Sequence, residues 1–474
     1  MIVQVRDAEP QPRTESPVHG RITTAAFAAA FLAGLLGAVA GWLGIVVAVV
    51  IGLVCLVAWR PVLAVYLYLA TLPFIAGIER GALIPLIRPN EGLLVLLIAG
   101  AMIGGYVRAL RGVPLQLRLR PWDVPLAAFF LLATFWPISS MLLRGILPSA
   151  GDVSAVLPAC KLAGLLLLVR ITVRTPRHVL WCIRLIIGSA VGVAAIAVLQ
   201  SLSVEPIPTL LLGSWYRALA GELHRGTTTL SNAIATGDYI LIGLTLLVTA
   251  GVCGLMGWWA RIAAGLVLVA GVLAVGQVSI WLAALLIGAL IVRRLPSAKG
   301  SALRLAPILG IALLVGAPAL FRRIGSFFGD GFPPQGWRVR WDNVAHHYLP
   351  ELLENGQLLV GVSPNWVLVS PDTWREFVYL ESGYLQFLWV GGVPLLLGFV
   401  VLSRAVLSFA GQLGKRSDGV GACASALVIV WWMVVFLLVF DAHLFMRGPG
   451  DLIFALLGVV ASRAVEERND DASG

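Results

Sequence analysis

Charge is what this sequence lacks most. Of its 474 residues only 12% are Asp, Glu, Lys or Arg, while 59% are hydrophobic and the mean hydropathy is +0.93. A soluble domain carries about a quarter of its residues as charges, so a soluble enzyme is excluded. Repeated apolar runs of about 17–22 residues read instead as membrane-spanning helices. Cysteine is scarce too. Cys55, Cys160, Cys182, Cys253 and Cys423 all fall inside apolar runs, at no spacing that suits a metal or a disulfide framework. The adjacent pair His346-His347 has no evident third ligand, and adjacent side chains point to different faces, so no metal or other cofactor is expected. The net charge of +10 invites a nucleic-acid reading, but no basic patch alternates with exposed aromatics. Most Lys and Arg sit in short turns beside apolar runs, where they set topology and meet anionic headgroups. The expected partner is a lipid bilayer, not a nucleic acid.

What is present divides the chain unevenly. Residues 1–21 are polar, with Pro10, Pro12 and Pro17, and read as a disordered cytoplasmic tail instead of a cleavable signal. Residues 22–320 are membrane helices, interrupted by an intermediate external loop near 203–236. Residues 321–382 form a large polar loop, 383–463 hold the last three membrane helices, and 464–474 form a second cytoplasmic tail. The expected fold is an all-α polytopic membrane protein of about 12–14 spans, eleven apolar blocks preceding the large loop and three following it. With the N-terminus inside, the inner turns collect Arg60, Arg108, Arg111, Arg118, Arg120, Arg170, Arg174, Arg177, Arg261, Arg293, Arg294, Lys299, Arg304, Arg404, Lys415 and Arg416. That satisfies the positive-inside rule and turns both loops outward.

Polar chemistry concentrates in those two loops. The first carries His224-Arg225-Gly-Thr-Thr-Thr-Leu-Ser-Asn232. The second carries Arg322, Arg323 and Arg375, with Gly336-Trp-Arg338-Val-Arg340-Trp341, an amphipathic run to Leu353, a Gly361-Val-Ser-Pro364 turn, and Glu381-Ser-Gly-Tyr384-Leu at the membrane re-entry. A Gly-rich helix with Gly391-Gly392-Val-Pro394 follows. In this order and placement, from about Arg60 to Arg463, the chain resembles the O-antigen ligase and O-antigen polymerase superfamily. These are bacterial integral-membrane glycosyltransferases that act on undecaprenyl-diphosphate-linked glycans outside the inner membrane. Ligases of that family carry His-Asn or His-Ser before the Tyr-Leu; Glu381-Ser here leans toward the polymerases. The Ser-Arg pair of the family's short span is reduced to Ser279-Ile280, so no arginine carries over there.

The resemblance implies a GT-C-like fold and a multi-pass protein of the bacterial inner membrane with its large loop facing the periplasm. It implies an inverting, metal-independent transfer from a polyprenyl-diphosphate-linked glycan donor to a glycan acceptor. Polysaccharide polymerase is the reading, with ligase-type transfer to a lipid or protein acceptor and a transporter or flippase of the same glycans as alternatives. Partners would include a chain-length regulator or other polysaccharide-assembly proteins.

The site residues follow from the chemistry and the resemblance together. Cleaving a sugar–phosphate bond leaves a diphosphate of growing negative charge, which guanidinium groups bind in bidentate fashion. Arg338 and Arg340 are assigned to catalysis and Arg225 to substrate binding; the alternative for each is a headgroup contact or a local ion pair. Glu381 is the candidate general base, or else a helix-end carboxylate paired with Arg375 or another loop arginine. Tyr384 is read as a sugar contact or an interfacial anchor. Lys161, inside the sixth span, either reaches a substrate phosphate or snorkels to the interface. Arg184 is expected to snorkel inward, the run around His346 to lie on the membrane surface, and Asp441, His443 and Arg447 to occupy a solvated turn.

Overall fold

The computed structural model describes residues 41–80, 87–112, 120–215, 225–295, 325, 335–369 and 377–462. Both tails, the first apolar block before residue 41, the eleventh span expected at Ala306–Leu320, and Arg118, His224, Lys299, Arg304, Arg322, Arg323 and Arg375 lie outside the described residues.

Long helices follow from long apolar runs, because only a helix satisfies its own backbone hydrogen bonds in hydrocarbon. Before the large loop they are α1 (Trp42–Trp59), α2 (Val62–Ile75), α3 (Pro89–Leu110), α4 (Asp123–Leu143), α5 (Ala150–Thr172) and α6 (Pro176–Ser201). A short α7 (Ile207–Ser214) leads to α8 (Ala233–Val252), α9 (Trp258–Val275) and α10 (Val278–Arg294). In the large loop come α11 (Gln335–Asn343), α12 (Leu349–Leu353) and α13 (Gln357–Val360), then strands β1 (Val367–Val369) and β2 (Phe377–Tyr379). The chain closes with α14 (Gly383–Leu413), α15 (Gly419–Leu437) and α16 (Pro449–Val460). Among the described residues eight helices are long and apolar enough to cross a membrane, and α1, α2 and α16 are apolar but shorter. This is a multi-pass helical membrane protein. The expectation of an all-helical chain needs one amendment: β1 and β2 pair antiparallel, Val367 opposite Tyr379.

Helices α8 and α15 form the centre of the bundle, with 83% and 78% of their spanning residues buried, against 22–44% for the other long helices. Every residue of α16 is buried. Contacts between helix ends give the bundle two distinct ends. At one, Arg170 of α5 grips Asp123 of α4 in a bidentate pair at 2.6 and 2.9 Å, Trp122 stacks on Phe409, and Arg261 reaches the Gly251 carbonyl at 3.0 Å. At the other, Arg144 after α4 donates to the Val362 carbonyl at 2.7 Å, and the Ser363 hydroxyl donates to Asp152 of α5 at 2.8 Å. Gly383 at the start of α14 donates to the Leu438 carbonyl after α15 at 2.8 Å.

Two glycine motifs noted in the sequence interlock at this second end. Helix α14 is broken at Gly392, whose φ of 65° and ψ of −164° belong to a region open essentially to glycine alone. The break lets Val362 donate to the Trp389 carbonyl at 2.6 Å, with Gly361, φ 89°, against Val390. A Cβ on Gly392 would overlap the Leu359 carbonyl. The large loop is thereby seated in the kink of a membrane helix.

Two stretches read as loops pack into the protein. In the Arg-Gly-Thr stretch Thr227, Thr228 and Thr229 are buried, and the Thr229 hydroxyl donates to the Pro73 carbonyl at 2.6 Å. Gln200 receives the Thr228 amide and donates to the Thr227 hydroxyl, both at 2.8 Å. The run near His346 likewise does not spend its apolar face on the membrane. Tyr348 and Leu352 are buried in the protein, and Tyr348 donates to the Trp366 and Val378 carbonyls at 3.0 and 2.8 Å. That face packs a small second core with Trp389, Val378 and Leu380.

Candidate functional site

The polar groups of the second end gather around the turn between α15 and α16, residues 438–448. It was expected to be solvated; instead it folds back into the bundle. His443 is 1% exposed and lies 2.6 Å from Asp238 of α8, which is equally buried. The reason is that α16 is buried from its first turn, which holds the fully buried Asp451, so the polar groups just before it find partners inside. Burial works against the charged imidazole, but the Asp238 carboxylate and its hydrogen bond outweigh it, with Asp441 adding and Arg340 opposing, so the His443 pKa is raised.

On one side of this turn stands the pair that the sequence reading joined by loop membership alone. Arg340 of α11 forms a salt bridge with Glu381, just before α14, and its second nitrogen donates to the Phe440 carbonyl at 3.4 Å. Glu381 therefore pairs with a loop arginine, one of its two expected fates. Arg338 does not share this face: two residues along a helix is more than half a turn, and its side chain is exposed. Tyr384 is half-buried and tied to the neighbouring helix. Its hydroxyl donates to the Val435 carbonyl of α15 at 2.6 Å and its ring meets Phe399 edge-on.

On the other side is a cluster of cations that the sequence did not single out. Arg80, after α2, bonds Glu91 at 2.9 Å and the Ser154 carbonyl at the start of α5 at 2.8 Å. Arg88 stands at the N-cap of α3, and its amide is capped by Glu91 at 3.0 Å. Burial, and then the charges of Arg447 and Arg80, push the Arg88 guanidinium down to about 9. Arg447, just before α16, is lowered by burial and next by Arg80, with Glu79, Glu91 and Tyr379 acting the other way. The Nε atoms of Arg80 and Arg88 are buried without a hydrogen-bond partner. Guanidiniums crowded against one another with donors unspent form a site that gains free energy when an anion arrives.

Below this cluster lies Lys161, halfway along α5. It does not snorkel. Its ammonium meets Asp451 at 2.8 Å with the side chain 8% exposed, and Asp451 also accepts from the Tyr68 hydroxyl at 2.6 Å and the Gly448 amide at 3.0 Å. Arg184, by contrast, is exposed, with its guanidinium over Trp181 at 5.6 Å.

Arg225 is half-buried beside the Thr cluster. The next residue, Gly226, donates to the Ala274 carbonyl of α9 at 3.2 Å and packs on Ala197 of α6. Of the six residues assigned from sequence, the structure joins Arg340 to Glu381 and ties Lys161 and Tyr384 into the bundle. Arg80, Arg88, Arg447, Asp451 and the Asp238–His443 pair were missed. Their one signal was a charge beside or within an apolar run, which does not say which helix ends converge. Among the described residues no group of three or more His, Cys, Asp or Glu side chains is placed to hold a metal ion. The chain matches no known protein-family model, and a search of characterised proteins finds no match.

Proposed function

We propose that this chain is a GT-C-like membrane glycosyltransferase that polymerises polyprenyl-diphosphate-linked oligosaccharide repeats on the outer face of the bacterial inner membrane. The observation that carries the reading is that the buried, unspent Nε donors of Arg80 and Arg88, with Arg447 nearby, lie at the same bundle end as the Arg340–Glu381 pair. In this scheme the three guanidiniums take the donor diphosphate and stabilise the charge that builds on it as the anomeric C–O bond breaks. Glu381 takes the proton of the incoming acceptor hydroxyl, with inversion at the anomeric carbon, and Arg340 holds the carboxylate in position. Ligase-type transfer differs only in the acceptor. Transport of the same lipid-linked glycans is the reading from another class. A short helix with a buried Asp451 in its first turn, paired with Lys161 inside a membrane span, favours it, because broken helices with buried charges are common in transporters.

Purified protein supplied with a defined lipid-linked repeat separates these readings. A ladder of products supports polymerisation, single addition to a terminal acceptor supports ligation, and translocation across vesicles without new glycosidic bonds supports transport. Arg88→Ala and Arg447→Ala are expected to lower turnover by about 10²-fold or more while the protein still inserts. Normal turnover in both variants would remove the anion site from the mechanism.

A further inference from the structure

We propose that Trp366 and Tyr379, at the edge of the large-loop hairpin, form a stacking platform for the donor's first sugar ring. The inference rests on the glycosyltransferase reading and names a subsite for it. The hairpin is held rigidly from behind: Tyr348 donates to the Trp366 and Val378 carbonyls, and Trp389 donates from its indole to the Asn365 carbonyl at 3.0 Å. Val378 and Leu380 are each 1% exposed, whereas Tyr379 between them is 41% exposed and meets the half-buried Trp366 at 6.2 Å and 61°. An aromatic ring left open on a fixed hairpin offers a flat apolar face, the surface against which the C–H face of a pyranose packs.

Position singles out a sugar as the occupant. Ser363, three residues before Trp366, bonds Asp152 in the first turn of α5, and Arg80 bonds the Ser154 carbonyl in that same turn. Tyr379 also lies near Arg447. Glu381 follows Tyr379 by two residues, directly after the hairpin. The hairpin is thus tied to the start of α5, where Arg80 bonds, and runs directly into Glu381, the partner of Arg340. That is where the first sugar of a diphosphate-linked donor would have to sit for its anomeric carbon to face an acceptor.

The test is isothermal titration of purified protein with two probes, a short-chain prenyl diphosphate and the same molecule carrying one N-acetylglucosamine. The wild type should prefer the sugar-bearing probe by about 3- to 10-fold. Tyr379→Ala and Trp366→Ala should erase that preference while leaving affinity for the bare diphosphate unchanged; Tyr379→Phe should keep it, since stacking needs the ring and not the hydroxyl. A preference that survives both Ala variants overturns the proposal. So does an equal loss for both probes, which would make the hairpin structural, or a change only in partition to lipid vesicles, which would make the aromatics a membrane contact. Wild-type protein that binds neither probe would instead refute the diphosphate reading itself.

Discussion

Replacing Asp451 with Asn removes a charge and almost no volume from the most enclosed carboxylate in the described bundle. Asp451 is fully buried, and Lys161, at 2.8 Å, is itself only 8% exposed. Asp451→Asn leaves that ammonium buried without its counter-charge, and breaking a buried pair in this way costs about 3–5 kcal/mol. Lys161→Met should cost less, because the stranded carboxylate still feels the charge of Arg88. The double variant Lys161→Met/Asp451→Asn removes both charges. The new amide can still accept from the Gly448 amide and donate to the Tyr68 oxygen, so the double variant should lie within about 1–2 kcal/mol of wild type. The expected coupling between the two changes is at least about 2 kcal/mol. Unfolding free energies in detergent micelles give all four corners of the cycle. If the double variant is as unstable as Asp451→Asn, the pair is not the interaction described here. The same variant tests the sequence reading of Lys161: stability restored without turnover would mean that the ammonium serves the substrate as well as Asp451.

Gly392→Ala should destabilise the protein by more than about 1–3 kcal/mol, since it combines a glycine-only conformation with overlap on the Leu359 carbonyl. Faster proteolysis of the large loop would report the loss of its seat. Glu381→Gln should lower turnover by at least about 10²-fold without altering binding of a bare prenyl diphosphate; near-normal rates would leave Glu381 a partner of Arg340 and nothing more. Because the His443 pKa is raised in the fold, its contribution to stability is complete below the imidazole's ordinary range and is lost as pH rises through the raised value. The melting temperature should fall over that window in the wild type and not in His443→Gln.

Membrane class, the order of the apolar blocks and the three helices after the large loop were all legible in the chain. These properties depend on local hydrophobicity and on the length needed to cross a bilayer, both of which each segment carries by itself. The Glu381 and Arg340 assignments came from the order of loop motifs, and only the fold shows that the two residues touch. It was likewise the tertiary structure that turned Lys161 toward Asp451, 290 residues away, and buried His443 against Asp238, 205 residues away. It also brought Arg80 to Glu91 and to the Ser154 carbonyl of α5. A lone charge in an apolar run announces that it needs a partner. Which partner it meets depends on which helix ends the bundle brings together, and hydrophobic periodicity does not encode that.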